Sequence, residues 1–140
     1  MIIADTGFWL AIANRRDRHH ILAVGTLKRV REQLVTTWPV TTETCHLLQS
    51  QLGVEAEIAF MRSARDGAFE IRPMLDVHLV RIAELMEIYR DLPMDLADAS
   101  LVILAEELGS GRILSTDQRD FRAYRWKNRK PSKNLLLSDR

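Results

Sequence analysis

Short apolar stretches alternate with longer segments of helical period along this chain, and that alternation limits its fold more than any other feature. Residues 1–4 form an apolar run that ends at Asp5 and read as a buried strand. Residues 6–14 follow as a short helix. Leu22, Val24, Leu27, Val30 and Leu34 recur at helical spacing over 21–34, and 35–37 then read as a second strand stopped by Trp38-Pro39. Thr41 or Thr42 can cap a helix that reaches Leu52, where Gly53 ends it. Residues 54–65 predict a further helix closed by Asp66-Gly67, and 69–72 a strand before Pro73. Leu75, Leu79, Ile82, Met86 and Tyr89 step by four and three, an amphipathic stripe broken at Pro93. Asp95 can cap a helix from 96 to 108, with Gly109 and Gly111 as breakers. Residues 112–115 predict a strand ending near Asp117, and the tail a hairpin around Lys130-Pro131. Strands separated by helices predict an α/β domain with a parallel sheet. In such sheets ligands bind at the carboxyl ends of the strands, near the point where strand order reverses.

At 140 residues the chain is read as one domain, 1–140, able to bury a core without disulfides. Its one cysteine, Cys45, forms no internal disulfide, fits a reducing cytoplasm and reads as a small core hydrophobe. No run approaches the ~20 apolar residues of a membrane span. The opening lacks a basic stretch ahead of its apolar run, so no export signal is expected. The formal charge of +1 hides an asymmetry. Residues 119–140 carry eight basic side chains against two acids, and 1–118 carry 12 against 17. Phe121, Tyr124 and Trp126 are interleaved with the tail's cations, a pattern that suits single-stranded nucleic acid and equally a solvated hairpin. Arg15, Arg16, Arg18, His19 and His20 make a second basic cluster with the same two readings.

The acids are placed more tellingly. Asp5 and Asp117 each follow a strand, and neighbouring strands would bring both to one sheet edge. Asp98 heads the apolar stripe of Leu101, Val102, Ala105 and Leu108, and Glu43 borders the stripe of Leu48 and Leu52. Each has a plain structural alternative as a turn, cap or first-turn acid favoured by the helix dipole. Converging in one cleft, the four would repel, and a divalent cation would resolve the repulsion. Oxygen-only ligands suit Mg²⁺ or Mn²⁺, which can activate water against a phosphodiester.

Other motifs carry less. Asp5-Thr6-Gly7 spells the aspartic-protease triplet, but once only and in a helical chain. Gly109-Ser110-Gly111 has no phosphate-loop pattern around it. Cys45-His46 has no second pair at zinc spacing. A phospho-receiver domain would need an acceptor Asp after a middle strand, where Ile71-Arg72-Pro73 stands.

MIIADTGFWLAIANRRDRHH, TTWPVTTETCHLL, DLADASLVILAEELG and RILSTDQRDF, in that order, resemble the motifs of PIN-domain ribonucleases, similar to the VapC toxins of bacterial toxin–antitoxin pairs. The resemblance implies a five-stranded parallel sheet between helices, usually in a homodimer. It implies an Mg²⁺-dependent endoribonuclease, a toxin with a cognate antitoxin protein, in which Asp5, Glu43, Asp98 and Asp117 are the catalytic and metal-binding acids. Asp117 matches the most variable of these positions. Thr6 matches a hydroxyl residue beside the first acid, Asp120 an auxiliary acid, and Asp95 a companion of the third. An RNA-processing nuclease without an antitoxin, or a non-catalytic RNA- or protein-binding module on the same fold, would share these motifs.

Overall fold

The computed structural model describes residues 1–92, 94–117 and 123–137. Strand β1 (Ile2–Ala4) is followed by helices α1 (Thr6–Ala13) and α2 (His20–Arg29), then β2 (Leu34–Thr37), α3 (Trp38–Leu52) and α4 (Val54–Arg65). Strand β3 (Phe69–Arg72), a 3₁₀ turn (Asp76–His78), α5 (Leu79–Ile88), α6 (Leu96–Leu108) and β4 (Arg112–Leu114) come next. The short strands β5 (Arg125–Trp126), β6 (Lys130–Pro131) and β7 (Lys133–Asn134) close the chain. Five strands form one sheet in the order β3-β2-β1-β4-β7, every pair parallel. The α/β class and the five-stranded parallel sheet are therefore as expected, although the fifth strand comes from 133–134, which the sequence reading placed in a basic tail.

Apolar β1 and β2 are fully buried at the centre of this sheet. Helix α6 lies against both and touches α3, α5 and β5. Its segment from Ala99 to Ala105 is buried on all faces, so it is a core helix and not a surface one. Gly109 ends it at φ 66°, a left-handed turn that costs glycine nothing. Phe69 at the start of β3 stacks on Phe60, and Trp9 packs against both, its centroid 4.4 Å from that of Phe69.

Several boundaries differ from expectation. Trp38-Pro39 starts α3 instead of only stopping β2: Thr37 caps it, and a proline in the first turn loses no hydrogen bond. The Thr41 and Thr42 hydroxyls instead donate back to the Thr37 and Trp38 carbonyls. Helix α2 ends at Arg29 and buries Ala23 and Thr26, leaving Leu22 and Leu27 exposed, while Leu34 belongs to β2. In α5 the buried positions are Ile82 and Leu85, and Leu75 and Leu79 face outward. The C-terminal hairpin turns at 127–129, so Lys130-Pro131 forms its second arm. Cys45 is a free, half-buried cysteine in α3, short of the core position foreseen for it.

The tail's aromatics are also corrected. Tyr124 is wholly buried and Trp126 is 7% exposed, so neither offers a face to a base. A Cβ at Gly111 would lie 2.3 Å from Trp126 Nε1, and only glycine lets the indole close over the chain there. Phe121, Arg119 and Asp120 lie outside the described residues. Among the described residues no helix is long and apolar enough to cross a membrane.

Candidate active site

The sheet grows outward through β1, β2 and β3 on one side and through β4 and β7 on the other. The reversal between β1 and β4 makes a crevice at their carboxyl ends. Ala4 pairs with Leu114, so the next residues, Asp5 and Ser115, arrive level with each other at that edge. Asp5 Oδ1 accepts from the Thr6 N–H at 2.7 Å, and Oδ2 accepts from the Ser115 hydroxyl at 3.1 Å. Ser115 Oγ in turn accepts the Asp117 N–H at 2.9 Å. The start of α1 comes so close to the loop after β4 that a Cβ at Gly7 would lie 1.8 Å from Thr116 Oγ1. Gly7 therefore admits the approach that joins the two strand ends.

Asp5 does cap α1, as its structural alternative supposed, yet capping does not account for its environment. Burial, joined by the weaker effect of the Glu43 and Asp117 charges, pushes its carboxyl up to about 7 against two hydrogen bonds that favour ionisation. Asp98 sits in a reciprocal capping box at the start of α6: its N–H donates to Asp95 Oδ1 at 2.8 Å, and the Asp95 N–H donates to Asp98 Oδ2 at 3.3 Å. Tyr124 reaches the same Oδ2 with its hydroxyl, also at 3.3 Å. Burial again comes first in raising Asp98, to about 8, followed by the charge of Asp95 and, more weakly, that of Asp5. Glu43, half-buried on α3, is raised by burial and by Asp95, and the Thr6 hydroxyl offsets part of this.

Asp5 thus interacts electrostatically with the other three acids picked from the sequence, Asp117 beyond β4, Glu43 on α3 and Asp98 on α6, and Asp95 acts on Glu43 and Asp98. They do not close into a cage: among the described residues no three acid, histidine or cysteine side chains are grouped so as to enclose a cation. The donor chemistry nonetheless fits a hard divalent cation. Every candidate ligand is a carboxylate oxygen, and Asp5 and Asp98 are raised chiefly by burial, with neighbouring acids adding to it. Ser115 has no place among the sequence candidates, and Tyr124 figures there only as one of the tail's aromatics, not as a partner of Asp98. Strand register would have found Ser115, one residue past β4 as Asp5 is one past β1. No local signal points to Tyr124, because its contact with Asp98 spans 26 residues.

Arg15, Arg16 and Arg18 are exposed in the loop after α1, beside the last turn of α3, where Asn14 bonds Gln51, while Lys127, Arg129, Lys130 and Lys133 are exposed toward the far ends of α6 and β4, where the Lys127 N–H meets Glu106 and Lys133 pairs with Arg112.

Comparison with known proteins agrees with this geometry. The chain is 29% identical over 124 residues to Ribonuclease VapC26 of Mycobacterium tuberculosis, covering 89% of this chain and 92% of that one. Its fold superposes on the crystal structure of Mycobacterium tuberculosis VapC20, described as a Sarcin-Ricin loop cleaving toxin. The TM-score is 0.79 at 19% identity, over 85% of this chain and 92% of that chain. The sequence pattern of the PIN domain matches residues 2–127. With that match across nearly its whole length, and the sheet to go with it, this chain belongs to the PIN-domain family.

Proposed function

We propose that this chain is a divalent-cation-dependent endoribonuclease, the toxin of a toxin–antitoxin pair, with Asp5, Glu43, Asp98 and Asp117 as its catalytic acids. The observation that carries the reading is the placement of Asp5, joined through Ser115 to Asp117, at the β1–β4 switch point of a PIN-family chain, with Asp98 and Glu43 as its acidic neighbours. Similarity to Ribonuclease VapC26 over most of both chains supports RNA as the substrate. The oxygen-only donor set supports Mg²⁺, with Mn²⁺ as a substitute. Residues 1–140 would work as one nuclease domain, paired with a second copy and held inactive by an antitoxin protein.

A divalent cation held by these acids would supply a polarised water and charge compensation at the phosphodiester. The chain's own contribution is orientation and proton control. Two hydrogen bonds hold Asp5 in one direction, and the Ser115 hydroxyl ties that carboxyl to the backbone of Asp117. The capping box and Tyr124 hold Asp98 at the positive end of α6, where an ionised carboxylate is favoured. Asp5 and Asp98, which burial raises, would be favoured in their ionised forms beside a cation held there. The exposed Arg15, Arg16 and Arg18, with the hairpin's Lys127, Arg129 and Lys130, would hold phosphates of the strand farther from the cut.

The test is incubation of the purified protein with total RNA, with Mg²⁺ or with EDTA, and sequencing of the new 5′ ends. Discrete 5′-phosphate ends that need Mg²⁺ support the reading. Intact RNA, or cutting indifferent to EDTA, overturns it. A small neighbouring gene product that co-purifies and blocks cutting would separate a toxin from a housekeeping nuclease.

A further inference from the structure

We infer that the groove between the start of α3 and the start of α6 receives one unpaired nucleobase of the RNA strand, stacked against Trp38; the inference rests on the ribonuclease reading above. The groove encloses about 790 Å³, and its walls include Trp38, Pro39, Glu43, His46, Met74 and Leu96. Trp38, Thr42 and His46 are spaced four apart and line it along one face of α3. Glu43 and Asp95 also line it, so it opens directly from the acidic site.

Its chemistry selects among the parts of a nucleotide. No lysine or arginine lines the groove, and two carboxylates do, so a phosphate would be repelled. A flat, neutral ring meets the opposite conditions: an indole, two prolines, a methionine and a leucine form the walls. Trp38 is 47% exposed, whereas Trp9 and Trp126 are buried in the core. A tryptophan left this open beside catalytic acids provides a stacking surface that requires no particular base. His46 adds a ring nitrogen that can donate to or accept from a base edge. The division of labour is then spatial. Phosphates are left to exposed cations elsewhere on the molecule, and this groove takes the base.

The test uses the indole as its own probe. Titrating the full-length protein in EDTA with an oligoadenylate of about eight nucleotides should quench the Trp38 emission, and an abasic strand of equal length should not. In Mg²⁺, Trp38→Ala should raise KM for a reporter RNA about tenfold, and Trp38→Phe should recover most of the loss. Metal affinity should not move in either variant. Cutting by the wild type with no quenching and with an unchanged KM in Trp38→Ala would overturn the groove assignment and leave the nuclease reading intact. Base-dependent quenching in a protein that cuts no RNA would do the reverse. If a polypeptide partner shields Trp38 and RNA does not, the groove belongs to that partner and the inference fails.

Discussion

Asp5 caps a helix, accepts two hydrogen bonds and is still pushed up to about 7, because burial and two neighbouring acids outweigh the donors. That imbalance distinguishes a site carboxylate from a simple cap, and it was half legible in the sequence. A strand-terminal Asp and an Asp three residues into a helix have local signatures. Their convergence depends on strand order, which no local pattern encodes. Tyr124 and Trp126 show the opposite case. Aromatics between cations resemble a nucleic-acid surface, but these two rings are core, because distant glycine and helix contacts close over them. Since Tyr124 donates to Asp98 Oδ2, Tyr124→Phe should keep the fold and weaken Mn²⁺ binding about tenfold by calorimetry. An unchanged affinity would make the contact incidental. Thr36 makes a separate prediction. Its hydroxyl is wholly buried and has no hydrogen-bond partner among the described residues. Thr36→Val should therefore stabilise the protein by about 1 kcal/mol, raising Tm by roughly 3 °C. A lower Tm would show that the hydroxyl is satisfied.

Among the elements, helix α3 illustrates why boundaries were harder to read than helices. Its end at Gly53 is plain from the sequence, but its buried face is Val40, Thr41, Thr44 and Leu48, with the expected Leu52 exposed, and its start depends on Thr37 acting as both the last strand residue and the cap. The shift has a functional consequence: it places Trp38 in the first turn, beside the site, and makes it part of the groove wall. The strands are tied at the end away from the site as well. The Arg112 guanidinium meets both Glu32 oxygens at 2.6 Å, and the Met1 amino group reaches Glu32 at 3.1 Å. These contacts clamp the starts of β1, β2 and β4. Hydrogen bonds from Arg112 hold the Glu32 carboxyl at about 2, below its ordinary 4.5. A carboxyl depressed by folding stabilises above its unfolded pKa and loses that contribution as pH falls through its folded value. Wild type should thus melt above Glu32→Gln near neutrality, and the gap should close between about pH 4.5 and about pH 2. A gap independent of pH would mean that the charge is not what holds the strands.

Across the whole molecule, the near-zero net charge is a sum of separated surfaces. The acids gather at one sheet edge, while the first loop and the hairpin present cations. The charge separation between chain segments persists in the fold, with the acids at the carboxyl ends of β1 and β4 and the hairpin's cations toward the opposite ends of β4 and α6. The hairpin is only partly a tail, since β7 completes the sheet against β4. Asp5 and Asp98 are raised by folding, so the metal-free fold binds more protons than the unfolded chain at mildly acid pH. Its stability should fall as pH rises from about 4 toward 8. Mn²⁺ competes with those protons and should raise Tm more at about pH 8 than at about pH 5. Equal gains at both would mean that the ion binds elsewhere. The central claim is that these carboxylates together enable metal-dependent cutting of RNA. It is tested most directly by the Mg²⁺-dependent cleavage rate of Asp98→Asn beside wild type, with circular dichroism establishing that both are folded. The account predicts a loss of about a hundredfold or more. A folded Asp98→Asn that cuts RNA at the wild-type rate would contradict it.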